Sequence, residues 1–115
     1  MYIMSFVAAV PTAKRAEYEA HCTAAAQIFK SHGAVRVVEC WGTEVPPGKM
    51  TSYPLAVAAN EDETVVTGWQ EWPDKATCDA NIGNAMQDPR FAAMGEMPFD
   101  GKRMIYAGFE TLLDT

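Results

Sequence analysis

Four segments of this sequence resemble β-strands with apolar side chains on both faces, and only two long helix-like segments are available to cover them. In the first segment, the even positions from Tyr2 to Val10 are apolar, and the odd positions from Ile3 to Ala9 are apolar or small. The segment from Lys102 to Leu113 also lacks a clearly polar side. Because large exposed apolar surfaces usually mark interfaces, we expect this chain to pair sheet to sheet with a second copy.

The predicted elements follow the order strand, helix, strand, strand, helix, strand. Strands are predicted over residues 2–10, 35–44, 64–72 and 102–113, and helices over residues 13–32 and 74–87 with a further turn over 88–94. Residues 49–62 are predicted to be a loop with room for one helical turn. This order is typical of the ferredoxin-like βαββαβ fold, an α+β fold with both helices on one sheet face. We expect residues 1–115 to form one such domain, and two sheets to pack into a dimeric α+β barrel.

Charge, hydropathy and cysteine content restrict the partners and the cellular compartment that we expect for this protein. The chain has a net charge of -6 and no cluster of Lys and Arg, which argues against nucleic acid as a partner. No apolar run reaches membrane-spanning length, and the first residues do not have the pattern of a signal peptide. We therefore expect that the protein neither associates with a membrane nor is exported. Three widely spaced cysteines fit neither a disulfide framework nor a zinc site, which favours a reducing cytoplasm.

Acidic and aromatic side chains recur on the predicted strands. The residues that share a strand face are Val37, Glu39 and Trp41 on the second strand, Val65, Thr67, Trp69 and Glu71 on the third, and Tyr106, Gly108 and Glu110 on the fourth. If these faces coincide, the acids lie near apolar rings, where desolvation raises a carboxyl pKa and prepares a general acid or base. The alternative is that these acids are solvated at strand ends or paired with Arg36, Lys102 or Arg103.

Three tryptophans are suited to the wall of a pocket for a planar organic ligand. Trp41 and Trp69 are the stronger candidates, and Trp72, beside Pro73 at a strand end, is the weakest. Core packing would use the same side chains equally well. His21 and His32 lie eleven positions apart on one predicted helix, so their side chains do not converge on a metal. We expect neither a metal nor a cofactor.

A family resemblance rests on three stretches of the sequence: residues 97–110, Val45–Lys49 and Val38–Trp41. They resemble the YbaA-like family, short bacterial proteins of uncharacterised function with a dimeric α+β-barrel fold, and the likeness covers nearly the whole chain. The resemblance implies this fold and a homodimer. It implies no particular reaction, ligand or catalytic residue.

Three functional hypotheses follow. The first is a cytoplasmic homodimer that binds a small, largely apolar organic molecule in a helix–sheet cleft lined by Trp41, Trp69 and Tyr106. The second is a cofactor-independent monooxygenase or isomerase in which Glu71 or Glu39 accepts a proton. The third is a structural or partner-binding dimer without a ligand. A cleft of roughly 300–1,000 Å³ beside a tryptophan would favour the first two hypotheses over the third.

Overall fold

The computed structural model describes residues 1–115 and contains a four-stranded antiparallel sheet. Its strands are β1 (Tyr2–Pro11), β2 (Arg36–Trp41), β3 (Glu63–Trp72) and β4 (Ile105–Glu110). They lie side by side in the order β2-β3-β1-β4, with the two longest strands in the centre. The predicted ferredoxin-like α+β fold is confirmed.

Three of the four α-helices begin at a residue whose side chain accepts a hydrogen bond from the first turn. The four helices are α1 (Arg15–Ser31), α2 (Tyr53–Ala56), α3 (Lys75–Met86) and α4 (Pro89–Ala93), and a 3-10 turn (Thr12–Lys14) precedes α1. The Asp74 side chain starts α3 by accepting a hydrogen bond of 2.7 Å from the Thr77 amide. After α1, Gly33 adopts a φ of 117°, which glycine tolerates because it lacks a Cβ atom.

Two strands are shorter than predicted. The second ends at Trp41 instead of residue 44, and the fourth spans Ile105–Glu110 instead of residues 102–113. The segment before β4 is a turn because Asp100 accepts hydrogen bonds from the amides of Lys102 and Arg103. These amides are therefore not free to extend the ladder of β4.

The helices pack on the sheet face that carries the even-numbered residues of β1. One buried cluster there joins Phe29 of α1 and Cys78 of α3 to Trp72, and a second joins Tyr18 of α1 to Ala8 and Val66. Trp72 is completely buried, and it therefore belongs to the core rather than to a pocket wall. Helix α1 contributes to both clusters and so fixes the helix layer against the sheet.

The opposite sheet face is covered only at one end. There Val57, in the connection between β2 and β3, packs with Ala9 and Val65, an arrangement that the loop prediction for residues 49–62 did not include. The remainder, called here the open face, consists of Ile3, Ser5, Val7, Val38, Thr67, Trp69, Ile105, Ala107 and Phe109. Ile105 and Phe109 are 45% and 54% exposed. Most of this apolar surface therefore has no cover within the chain.

Among the helices of the structure, none combines the length and the apolar character needed to cross a bilayer.

Candidate functional site

The acidic faces of the strands do not coincide, so the condition for bringing the strand acids together is not met. Glu39 of β2 lies opposite Gly68 of β3, and directly paired residues point to the same side of a sheet. Glu39 therefore faces the helices, whereas the odd-numbered residues of β3, including Trp69 and Glu71, face the other way. Glu110 lies opposite Tyr2 on the helix side, but it is exposed at the far edge of the sheet. The sheet itself thus separates the two predicted proton acceptors.

Glu71 already has two partners on the helix-free side of the sheet. The Arg36 guanidinium donates to its Oε2 atom at 3.2 Å, and the Trp69 indole N–H donates to the same atom at 3.0 Å. This matches the paired alternative considered for the strand acids. Glu71 therefore has the environment of a structural ion pair at the margin of the open face.

Glu39 occupies a niche that exists because residue 68 is glycine. A Cβ atom on Gly68 would lie 2.7 Å from the Oε2 atom of Glu39 and 2.8 Å from the Phe6 ring. The carboxyl group of Glu39 thus bends over the sheet into the space that a side chain would fill. There the Tyr18 hydroxyl donates a hydrogen bond of 3.1 Å to Oε2.

The apolar surroundings change the acidity of this cluster. Burial raises the pKa of Glu39 from 4.5 to about 7, although hydrogen bonds from Tyr18 and Cys22 act in the opposite direction. Residue 39 as a whole is exposed because it lies on an edge strand, but its Oε2 atom lies between Tyr18 of α1 and Gly68 of β3. Burial, followed by the charge of Glu39, raises the pKa of Cys22 to about 12 and that of Tyr18 beyond its usual range. Both groups therefore remain protonated donors at neutral pH.

A cleft of about 400 Å³ opens between α1 and β2 beside this cluster. We call it the α1–β2 cleft, and its lining residues are Arg15, Tyr18, Glu19, Cys22, Thr23, Glu39, Cys40 and Trp41. Trp41 forms an aromatic wall, because its ring is 6.2 Å from the Tyr18 ring and the Arg15 guanidinium lies 5.2 Å above it. The cleft combines an aromatic wall, a cation and a carboxyl group that titrates near neutrality.

The three predicted ligand-binding aromatics do not meet in one cleft. Trp41 lines the α1–β2 cleft, Trp69 points to the open face, and Tyr106 lies on β4, at the sheet edge farthest from β2. Tyr106 is 69% exposed. The prediction that Trp41, Trp69 and Tyr106 line a common pocket is therefore wrong.

Sequence reasoning did not identify Tyr18, Cys22 and Arg15 as site residues. Tyr18 and Cys22 are four positions apart on the apolar stripe of α1, a pattern that also describes ordinary core residues. Only the packing of α1 across β2 shows that both reach the carboxyl group of Glu39. No local pattern in the sequence distinguishes Arg15 from the other exposed cations.

A second cleft, of about 410 Å³, lies on the other side of α1 and is lined by Glu17, His21, Glu96 and four smaller or apolar residues. His21 packs edge-on against Phe99 at 5.6 Å, and burial lowers its pKa, so it is mostly neutral at pH 7. This cleft lacks an aromatic wall and an enclosed carboxyl group. The α1–β2 cleft is therefore the better candidate site.

The sheet order and the helices on one face define a ferredoxin-like α+β protein. A crystal structure of a dimeric ferredoxin-like protein from an uncultured marine organism has the same fold, with a TM-score of 0.61 and 13% identity, covering 99% of this chain and 98% of that chain. This chain belongs to the DUF1428 family of proteins of unknown function, whose family model matches residues 1–101. It is 50% identical over 114 residues to the uncharacterised protein YbaA of Escherichia coli K12 and to that of Shigella flexneri, covering 98% of this chain and 97% of each relative. The resemblance to the YbaA-like family is thereby confirmed.

Proposed function

We propose that this protein is a homodimer that binds a small, largely apolar organic molecule in the α1–β2 cleft of each protomer. The observation that carries the proposal is a cleft of about 400 Å³ with Trp41 as a wall and the carboxyl group of Glu39 inside it. Its volume lies within the range of small-molecule sites, and such sites combine apolar walls with a few polar groups. A purely structural dimer does not require this opening between helix and sheet.

The carboxyl group of Glu39 is the polar contact that orients the ligand. Its Oε2 atom accepts from the Tyr18 hydroxyl, and Glu39 lines the cleft in which a ligand would lie. With a pKa of about 7, the group donates a proton in one form and accepts one in the other at neutral pH. The site therefore accommodates a ligand hydroxyl or a ligand carbonyl oxygen.

The homodimer proposal is supported by the open face. Its apolar side chains are uncovered within one chain, and a second copy offers the same surface in a self-complementary arrangement. The structurally similar protein from the marine organism is itself dimeric. Each protomer would retain its own α1–β2 cleft, because the cleft lies on the helix side of the sheet.

A second candidate function is a cofactor-independent monooxygenase or isomerase with Glu39 as proton acceptor. The pKa of Glu39 near 7 favours this candidate, because a general base is most effective when its pKa lies near the working pH. Glu71 is not included, since Arg36 and Trp69 already occupy its carboxylate. The proton would move from the ligand to the carboxylate of Glu39.

Native mass spectrometry of the protein purified from its own host tests the binding proposal. We expect a bound organic compound of low mass in the wild type and in Trp69→Ala, which changes a tryptophan on the opposite face, and none in Trp41→Ala. A wild-type protein without a compound, or equal retention by both variants, would contradict the proposal.

For the enzymatic candidate, Glu39→Gln should retain the compound and lose its conversion, and conversion at the wild-type rate would exclude Glu39 as the base.

A further inference from the structure

Arg15 differs from the other arginines of this protein. The chain contains four arginines, and three of them form ion pairs: Arg36 with Glu71, Arg90 with Asp88, and Arg103 with Glu63 and Asp100. Arg15 forms neither an ion pair nor a side-chain hydrogen bond, although it lines the α1–β2 cleft. Its five N–H donors are thus free at the mouth of the candidate site.

The contact with Trp41 gives the Arg15 guanidinium a defined place. The Cζ atom lies 5.2 Å from the centre of the Trp41 ring, at cation–π distance. A guanidinium that lies over a ring still presents N–H donors to a ligand. Their planar fork matches the two oxygens of a carboxylate, and the resulting charge-assisted hydrogen bonds are stronger than neutral ones.

Two acidic residues share the cleft with Arg15. Glu19, one helical turn along α1, forms no ion pair with Arg15, and an exposed pair at this spacing would be weak in any case. Glu39 also lines the cleft and forms no ion pair with Arg15, and burial favours its uncharged form by raising its pKa to about 7. Neither acid therefore neutralises the Arg15 guanidinium.

From this geometry we infer that the α1–β2 cleft selects a planar aromatic carboxylate, with the ligand carboxylate bound bidentately by Arg15 and its ring against Trp41 and Cys22. This inference rests on the proposed binding function and narrows its ligand class. The aromatic ring supplies the apolar contact that the cleft walls offer. The carboxylate supplies the acidic partner that Arg15 lacks within the protein.

The test is an NMR titration that compares three probes of similar shape and different charge: benzoate, benzamide and benzylamine. Binding is followed at the indole N–H of Trp41. We expect benzoate to bind at least tenfold more tightly than benzamide, and benzylamine to bind no better than benzamide. Arg15→Gln should reduce benzoate affinity to the benzamide level without changing benzamide affinity. Lys14→Gln removes the neighbouring exposed cation, and this control should bind benzoate like the wild type.

The outcomes separate the two proposals. If benzamide or benzylamine binds the cleft as tightly as benzoate, or if Arg15→Gln leaves benzoate affinity unchanged, the carboxylate inference is wrong and the cleft remains a small-molecule site. If no probe shifts the Trp41 signal at millimolar concentration, the inference is wrong, and the mass spectrum of the host-purified protein decides the binding function separately. Glu19→Gln offers a further check, since removal of a like charge should tighten benzoate binding a few-fold.

Discussion

Gly68 and Glu39 illustrate how one missing side chain changes the environment of a neighbouring carboxyl group. The absence of a Cβ atom on β3 makes room for a carboxyl group from β2, and the enclosing residues then determine its acidity. A larger residue at position 68 would direct the carboxyl group outward into water. The chemistry of Glu39 thus depends on a residue that itself carries no functional group.

Protein stability should report the protonation of Glu39. Because its folded-state pKa is about 7 and its ordinary value is 4.5, the folded protein binds this proton more tightly than the unfolded chain does. The contribution of Glu39 to the free energy of unfolding should therefore be greatest below about pH 4.5 and should fall as the pH rises to about 7. We expect the free energy of unfolding to decrease by about 1–2 kcal/mol over this pH range, after allowing for partial contact of the carboxyl group with solvent.

Urea denaturation between pH 5 and pH 8 measures this effect. Glu39→Gln should remove this loss and be more stable than the wild type at pH 8, whereas Glu44→Gln, at an exposed position after β2, should behave like the wild type. Parallel pH dependence of Glu39→Gln and wild type would show that the carboxyl group of Glu39 is not desolvated.

Gly68→Ala should destabilise the protein by about 1–3 kcal/mol. The added methyl group would lie 2.6 Å from the Val38 carbonyl oxygen and 2.7 Å from the Oε2 atom of Glu39, so the backbone or the carboxyl group must move. Gly83→Ala, at a helical position where a Cβ atom meets nothing within 4 Å, is the control and should not destabilise. Equal unfolding midpoints in urea for both variants would contradict the inference that the Glu39 carboxyl group fills the space over Gly68.

At the scale of elements, the segment before β4 is held in place by one side chain. Arg103 donates to both carboxylate oxygens of Glu63 at 2.8 and 2.7 Å and to the carbonyl oxygen of Ala58 at 3.0 Å. These contacts join the turn before β4 to the start of β3 and to the β2–β3 connection. They also explain why the fourth strand begins at Ile105 rather than at residue 102.

Arg103→Met should loosen this junction and lower the urea concentration at the unfolding midpoint, because the carboxylate of Glu63 would lose its charged donor. Lys102→Met is the matched control, since the Lys102 side chain forms no ion pair. Amide hydrogen exchange should accelerate in the turn at residues 100–104 in the first variant only. Unchanged exchange in Arg103→Met would show that the turn is held by backbone contacts alone.

At the scale of the whole molecule, the proposed dimer depends on the open face. The wild type should sediment as a dimer, with twice the 12.6 kDa mass of the chain, at micromolar concentration. Phe109→Asp places a charge on the open face of each protomer and should raise the dissociation constant about a hundredfold or more. Met86→Asp changes an equally exposed apolar residue on α3 and should remain dimeric. A wild-type monomer would contradict the proposed assembly.

The sequence by itself determined the fold class, the helix starts and the side chains that share a face within each strand, because these depend on local periodicity and capping groups. Only the tertiary structure decided how those faces combine. A shift of one residue in strand pairing moves a side chain to the opposite face, and no local pattern specifies the pairing of Glu39 with Gly68. That pairing placed Glu39 beside Tyr18 and Trp41, and it left Trp69 and Glu71 on the other side of the sheet.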